Sequence, residues 1–478
     1  MGDLERDAPL VAAVLAARAS KSRPMQIPGH KLRYLGGDTG AVGYDLLHSL
    51  IRDDVALQGG ADDNAFSYGY LAAAEGLYAR AIGASATRFL VGGSTQGNIA
   101  AFMSVAGDGT AIAVDRTSHR SALSGLILSG AMPSWIFPRI HPDFGIPIGM
   151  DSDALSDIAR CQAVFLTSPS YVGTISDIDD ISRSCHRQQA ALIVDQAWGA
   201  HLDFGVAGYP SALAQGADIV ITSTHKALLG YSQTATISYQ GDIVDENRIN
   251  RAVDVTATTS PSATLLASID ATRFVLQRDG GDALARAMEV SAAARHVLRG
   301  VRGVVVLDEQ TTGCRVDPLK ISLWLPLTGC TGVELAAALW AEGHGVESAD
   351  SDTLVMTVSI ADSPTDVMEV AHTLARVIEH FRREARTPMP SAVWNIRPTV
   401  EMSPREAFFA ERERLRLKDA VGRVSAEQFC PYPPGVPLIG PGEVVTQEII
   451  DAIEIAGRVG RVAYCSDPSL ETIEVVRA

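Results

Sequence analysis

The sequence predicts an α/β fold built on a mostly parallel sheet, and three observations support this class. Short apolar runs alternate with helix-forming segments from Ala72 to Ser223. Several of these runs are continuously apolar, as strands in a sheet buried on both faces must be. Polar residues of distinct types follow the ends of the runs, where open α/β sheets bind their ligands.

The elements of the first half of the chain follow in order. Residues 1–60 form an N-terminal arm, with an Ala-rich helical start and then Gly- and Pro-rich loops. Residues 61–280 form the large domain. Its helices are predicted at "AAAEGLYARAIG", "GNIAAFMSVAG" and "SALSGLILSG". Its strands are predicted at "RFLVGG", "AIAVD", "AVFLTSPS", "ALIVDQA" and "DIVITS".

The second half of the chain predicts smaller α+β domains. Residues 281–387 open with the helical tract "GDALARAMEVSAAARHVLRGV" and continue with the β-like runs "VVVLDE", "KISLWLP" and "TLVMTVSI". Residues 388–478 combine "SPREAFFAERERLRLKDAVGRVSAEQ", which is helical by composition, with the proline tract "CPYPPGVPLIGPGE".

Composition excludes several classes of protein. The 478 residues are 46% hydrophobic, enough for a large core. The net charge of -16 argues against a nucleic-acid partner. Since no stretch of about 18 apolar residues occurs, we expect neither a signal peptide nor contact with a membrane. The six cysteines lack metal-ligand or paired spacing, so we expect no metal site and a cytoplasmic protein.

Two of the strand ends suit a phosphate and a cation. Ser94 and Thr95 follow two glycines where a helix is expected to begin, so hydroxyls and backbone N–H groups can bind a phosphate there. A plain helix cap would have the same sequence. Asp195 ends "ALIVD", and its charge is costly there unless a cation or a donor compensates it. A structural ion pair is an equally good explanation of that residue taken singly.

Two further strand ends have basic side chains. His119 follows "AIAVD", and Lys226 follows "DIVITS" together with Ser223 and His225. A single histidine in such a place is more often packed or capping than catalytic. Pyridoxal 5'-phosphate (PLP) would use all four strand ends at once, because it combines an aldehyde, a phosphate and a basic ring nitrogen. The joint pattern therefore indicates PLP more strongly than any of its parts.

Ten motifs follow one another along the chain in this order: "IPGHK", "GGSTQGN", "DRTSHRS", "TSPSYVGTISD", "VDQAWGAH", "STHKALLGYSQTA", "TSPSATLLASID", "SPREAF", "AVGRVSAE" and "YPPGVPLIGPGE". In this order the chain resembles the bacterial Orn/Lys/Arg decarboxylases from about Pro28 to at least Glu443. The resemblance implies the type I, aspartate-aminotransferase-like PLP fold: a mostly parallel seven-stranded sheet between helices, with smaller α+β C-terminal domains. It implies decarboxylation of lysine, ornithine or arginine.

The resemblance also implies roles for individual residues. Lys226 would be the Schiff-base lysine, and Asp195 the partner of the pyridine nitrogen. His119 would stack on one face of the ring and Ala197 would lie against the other. Lys226 or His225 would return a proton to the substrate's α-carbon. The phosphate would lie among Ser94, Thr95, Ser223 and His225. The segment that reaches a neighbouring subunit's cofactor would be Thr258, Thr259 and Ser260. This segment implies a homodimer or a larger assembly.

Departures from the family pattern leave the substrate open. Gln196 and Trp198 stand where relatives usually have Glu and His, and the loop over residues 44–69 differs as well. Its carboxylates can bind a distal cation or be solvated, and they are Asp53, Asp54, Asp62 and Asp63. The proline tract is interpreted as a structural clasp, with Glu443 as a secondary site candidate. Open alternatives are an aminotransferase, an aldolase or an oxidative deaminase on the same scaffold, or a catalytically idle paralogue.

Overall fold

A seven-stranded sheet forms the centre of the molecule. The computed structural model describes residues 2–19, 54, 69–155, 158, 160–432, 435–458 and 462–477. The sheet strands are β1 (Ala86–Leu90), β2 (Ala111–Asp115), β3 (Met132–Ile136), β4 (Ala163–Thr167), β5 (Ala191–Asp195), β6 (Ile219–Thr222) and β7 (Ala235–Tyr239).

The sheet order is β1-β7-β6-β5-β4-β2-β3. The pairs from β6 through β5, β4 and β2 to β3 are parallel, whereas β7 runs antiparallel to both of its neighbours. This confirms the predicted mostly parallel α/β sheet, although β3 and β7 are not among the predicted strands. The carboxyl ends of β1, β2, β4, β5 and β6 therefore meet at one edge of the sheet.

Helices cover both faces of this sheet, because its strands are apolar on both sides. Ile112, Val114 and Phe165 contribute to the core on one face, and Ala113 and Val164 to the core on the other. The helices up to the end of the sheet region are α1 (Gly2–Asp7), α2 (Pro9–Ala19), α3 (Tyr70–Ile82), α4 (Gly93–Val105), α5 (Ser121–Ser129), α6 (Ile178–Arg187), α7 (Thr224–Ala227) and α8 (Glu246–Thr256).

Helix α4 lies unusually close to the sheet. A Cβ atom at Gly97 would stand 2.7 Å from Cγ2 of Ile221 in β6, so a larger residue would push the helix outward. The motif "GGSTQGN" thus has a packing reason for its last glycine, and the close approach brings the first turn of α4 to the carboxyl edge of the sheet.

A 37-residue helix, α9 (Ala263–Arg299), joins the large sheet to a second, four-stranded one. The predicted domain boundary at residue 280 falls within this helix and stays a prediction. The second sheet is antiparallel, in the order β10-β11-β9-β8. Its elements are β8 (Val305–Val306), α10 (Glu309–Thr312), β9 (Lys320–Trp324), α11 (Gly332–Ala341), β10 (Ser348–Ala349), β11 (Thr353–Thr357) and α12 (Pro364–Phe381).

The last module contains two small antiparallel sheets, β12 with β15 and β13 with β14, packed around one apolar cluster. Its elements are α13 (Pro404–Phe409), β12 (Arg412–Arg416), β13 (Cys430–Tyr432), α14 (Gln447–Arg458), β14 (Val462–Tyr464) and β15 (Thr472–Val476). Short 3-10 turns link the larger elements at Ser152–Leu155, Ala200–Phe204, Pro326–Thr328, Ala392–Trp394 and Leu417–Asp419.

The helical prediction for residues 403–428 is wrong beyond Phe409. Helix α13 starts with a capping box between Ser403 and Glu406, and the chain then extends as β12 to pair with β15. Arg412 and Arg414 each form an ion pair with Glu474 on β15, at 3.0 and 3.1 Å. Partner contacts distant in sequence thus outweigh the helix-forming composition.

Residues 2–19 of the N-terminal arm contain helices α1 and α2. The backbone N–H of Leu10 in α2 donates to Asp270 of α9 at 3.1 Å, and Arg273 of α9 donates to the carbonyl of Asp7 at 2.6 Å. The arm is therefore tied to the long helix. Among the described residues, none of the helices has the length and apolar content needed to span a bilayer.

Candidate active site

Loops at the carboxyl edge of the large sheet surround one cavity. Five of the predicted site residues line it together: Ser94, His119, Asp195, Ala197 and Lys226. They come from four different loops, and parallel strands alone explain why they meet. The other lining residues are Thr117, Pro147, Thr167, Ser170, Tyr171, Trp198, Trp394, Tyr432 and Val436.

Asp195 is a buried carboxylate held by two donors. Nδ2 of Asn98 in α4 donates to one oxygen at 2.7 Å, and the backbone N–H of Ala197 donates to the other at 3.0 Å. Burial raises the pKa of Asp195, although Lys226 and both donors favour the charged form. The carboxylate is thus rigidly oriented and suits a second cation in the cavity.

Lys226 lies in the short helix α7, directly after β6. Burial lowers the pKa of its ammonium group below the usual range for lysine, and Asp195 opposes that shift only in part. Its Nζ is 3.9 Å from the centroid of the Trp198 ring. A lysine amine with a lowered pKa is more often neutral at pH 7, and the neutral form is the one that attacks an aldehyde.

His119 and Ala197 both line the cavity. Nδ1 of His119 is 2.9 Å from Oγ of Ser121, which also accepts a hydrogen bond from Asn98 at 2.9 Å. Burial, together with Lys226 and Arg120, lowers the pKa of His119 to about 4. The imidazole is therefore neutral near pH 7, so it can stack on an aromatic ring without adding a charge.

Two of the hydroxyl groups expected near a phosphate lie at the N-terminal ends of helices. Ser94 is in the first turn of α4, and Ser223 precedes α7. Ser223 is fully buried, and within the described part of the chain its Oγ has no hydrogen-bond partner. A buried hydroxyl is costly without a partner, so this group is suited to a polar ligand.

Ser223 does not line the cavity, and neither do the other predicted residues that the structure describes. Thr95 is exposed, and His225 is half-buried with its Nδ1 donating to the carbonyl of Thr234 at 2.7 Å. Thr258 and Thr259 are exposed in the single chain. Asp54 lies 3.4 Å from the hydroxyl of Ser262, and Asp53, Asp62 and Asp63 are outside the described residues.

Three aromatic residues of the cavity were not predicted. Tyr171 and Trp394 stack with ring centroids 5.6 Å apart, and Tyr432 comes from the proline tract. The Tyr171 hydroxyl donates to Asp350 at 3.3 Å, which links the aromatic pair to the second sheet. Tyr171 and Tyr432 both lie in quoted motifs, but nothing in the sequence places Trp394 beside them.

Lys320 is a further residue of this region that the sequence did not predict, and it is a lysine buried next to the cavity. It is fully buried on β9, and its Nζ lies 3.7 Å from the Trp198 centroid and donates to Thr357 at 2.8 Å. Burial lowers its pKa to about 8, and Lys226 contributes to that shift. Trp198 is therefore in contact with two lysine side chains, one from each sheet.

Comparison with known proteins identifies the family of the chain. The family model "Orn/Lys/Arg decarboxylase, major domain" matches residues 8–311, and the model of the C-terminal domain of the same family matches residues 388–461. The chain belongs to the Orn/Lys/Arg decarboxylase family. It is thus a decarboxylase, and the family resemblance inferred from the motifs is confirmed.

Two kinds of relative stand out within this decarboxylase family. The arginine decarboxylase of Halalkalibacterium halodurans is 31% identical over an alignment 497 residues long. The alignment covers 99% of this chain and 98% of that protein. The lysine decarboxylase LdcA of Pseudomonas aeruginosa is 23% identical, over 81% of this chain and 67% of that protein.

The fold is shared with solved lysine decarboxylases. The Francisella novicida lysine decarboxylase superposes with a TM-score of 0.83 at 18% identity, covering 99% of this chain and 82% of that one. The predicted fold class is therefore confirmed.

Proposed function

We propose that this protein removes CO2 from the α-carbon of a basic L-amino acid with PLP as cofactor, and that arginine is its first candidate substrate. The observation that carries the proposal is that Lys226 and Asp195, predicted from separate strand ends, line one cavity. Membership of a decarboxylase family selects the reaction among those that this fold hosts.

The residues present fit PLP. Lys226 would bind the aldehyde, and Asp195 would pair with the pyridine nitrogen, because its two oxygens are already oriented by Asn98 and Ala197. His119 and Ala197 would cover the two faces of the ring. The hydroxyls of Ser94 and Ser223 would receive the phosphate, and the lack of any described partner for Ser223 is the observation that favours this.

Bound PLP supplies a ring that accepts the electron pair left when the carboxylate departs. Asp195 would keep a proton on the ring nitrogen, because a carboxylate paired with that nitrogen favours its protonated form. Lys226 is the better candidate to return a proton to the α-carbon, since it lines the cavity and has a lowered pKa. His225 does not line the cavity, so its part as proton donor is less favoured.

The aromatic residues support a cationic substrate. Tyr171, Trp394 and Tyr432 line the same cavity as Lys226, and aromatic faces attract ammonium and guanidinium groups. A planar guanidinium gains most from such stacking. Arginine is placed first because the arginine decarboxylase relative matches nearly the whole chain at 31% identity, compared with 23% for the lysine decarboxylase.

The working assembly in this proposal is a cytoplasmic homodimer or a larger multiple of it. Thr258, Thr259 and Ser260 are exposed on the turn between α8 and α9, and Val255 just before them is 70% exposed. Because these residues are exposed in the single chain, they are free to contact a second subunit, as the family resemblance implies. The six cysteines form no disulfide bonds with one another, in keeping with a reducing compartment.

The test is to incubate the protein and PLP separately with L-arginine, L-lysine and L-ornithine, and to measure CO2 and amine. Equal amounts of CO2 and agmatine, with much less amine from the other two, are the expected result. Lys226→Ala is the control and should form neither product. A keto acid in place of CO2 would instead indicate an aminotransferase or an oxidative deaminase, and absence of any reaction would favour an idle paralogue.

A further inference from the structure

The proline tract packs directly behind His119. The backbone N–H of Arg120 donates to the carbonyl of Gly435 at 3.0 Å. Gly435 has a φ of 81°, and a Cβ atom there would stand 3.2 Å from Cδ2 of His119 and 3.1 Å from Cε2 of Tyr432. The tract therefore fits closely against the imidazole, and only glycine allows this approach without strain.

The same tract ends in a buried ion pair with the loop that contains His119. Nη2 of Arg116 lies 3.2 Å from Oε2 of Glu443, and each side chain is only 2% exposed. Arg116 also donates to the carbonyl of Leu438 at 3.0 Å, and Glu443 accepts from the backbone N–H of Gly440 at 2.7 Å. On its other side, the guanidinium lies 4.7 Å from the centroid of the Trp135 ring.

The loop after β2 is thus held at both ends by the C-terminal module, at Arg116 through Glu443 and at Arg120 through Gly435. His119 lies between these two anchors. We propose that Glu443 is a positioning residue that acts through Arg116 to set the plane of the His119 imidazole. The inference rests on the proposed function, in which His119 covers one face of PLP.

The physical reason is the cost of an unpaired buried charge. Without the Glu443 carboxylate, the buried Arg116 guanidinium would keep only the Leu438 carbonyl and the Trp135 ring beside it, so the loop would move to bring it towards water. Stacking depends on ring orientation, and residues that orient metal ligands typically change affinity by about 10- to 100-fold when they are removed, so we expect a change of similar size here. The proline tract is then part of the active site as well as a clasp.

The test compares Glu443→Gln with a matched control, Asp270→Asn. Asp270 forms an equally buried ion pair with Arg273, at 2.6 Å, on the long helix and outside the residues that line the cavity. Hydrogen–deuterium exchange of the cofactor-free proteins reports on residues 116–120, and PLP titration gives the dissociation constant. Glu443→Gln should speed exchange in this loop and weaken PLP binding by about tenfold or more. Asp270→Asn should do neither.

A second variant covers the case in which Glu443→Gln fails to fold. Gly435→Ala keeps the ion pair but places a methyl group against His119, and it should weaken PLP binding by a similar factor. The proposal is overturned if the folded variants bind PLP within about twofold of wild type and exchange in residues 116–120 stays unchanged. If the wild-type protein binds no PLP at Lys226, the proposed function is wrong. The exchange measurement would then still show whether Glu443 stabilises the loop over residues 116–120.

Discussion

Replacing Lys320 by methionine should change how the stability of the protein depends on pH. The ammonium of Lys320 is fully buried, with Thr357 as its hydrogen-bond acceptor and the Trp198 ring beside it. Its pKa falls from 10.5 to about 8, mainly because burial penalises the charge. Methionine has a similar length and no charge, so the variant removes the titration and keeps the packing.

The sign and size follow from proton linkage. The folded protein releases the Lys320 proton near pH 8, whereas the unfolded chain keeps it until about pH 10.5. Between these values the unfolded state binds one more proton, so the free energy of unfolding of the wild type rises with pH. From pH 8 to pH 9.5 the rise is about 2 kcal/mol, at about 1.4 kcal/mol for each pH unit. The methionine variant lacks this contribution.

The assay is denaturant unfolding of wild type and Lys320→Met at pH 7 and at pH 9.5. The free energy of unfolding of the variant minus that of the wild type should fall by about 2 kcal/mol from pH 7 to pH 9.5. Lys418→Met, at an exposed lysine, controls for the loss of a lysine charge. If the difference between Lys320→Met and wild type is the same at both pH values, the argument from burial is refuted.

Three further variants test the site. Asp195→Asn should keep PLP bound but lower turnover by roughly 100-fold or more, because an amide cannot hold the ring proton; unchanged kinetics would exclude that role. His119→Ala should lose PLP on dialysis, and full retention would argue against stacking. As pH falls from 6.5 to about 4, wild type should lose stability that His119→Ala retains, because only the unfolded chain takes up this proton. Trp394→Leu should raise KM for arginine about fivefold with a smaller effect on kcat, whereas an unchanged KM would exclude contact with the substrate.

The strands of the large sheet were accessible from the sequence mainly where they are apolar along their length. Strand β7 contains Thr236 and Ser238, which are buried and bond to Thr222 and Thr87 at 2.7 and 2.8 Å. Hydroxyl pairs between strands satisfy these polar groups, so the strand can be central without an apolar pattern. The helical prediction for β12 was wrong because the strand depends on a distant partner. That partner, β15, lies about 60 residues further along the chain.

The chemistry of the candidate site was largely contained in the sequence. Lys226, Asp195 and His119 each follow a strand, and parallel strands bring their carboxyl ends to one edge whatever the details of packing. That rule, with the motif order, was sufficient to predict the fold, the family and five of the residues that line the cavity from the large domain. The roles of these residues in catalysis are still predictions.

What only the tertiary structure decided is what reaches this edge from elsewhere in the chain. Lys320 from the second sheet and Trp394, Tyr432 and Glu443 from the last module lie beside or behind the cavity. Their sequence separation from Lys226 is large, and no local pattern encodes a contact that forms only when separate packed units meet. Strand ends are local features and can be found by inspection, whereas the packing of one module against another is a property of the whole fold.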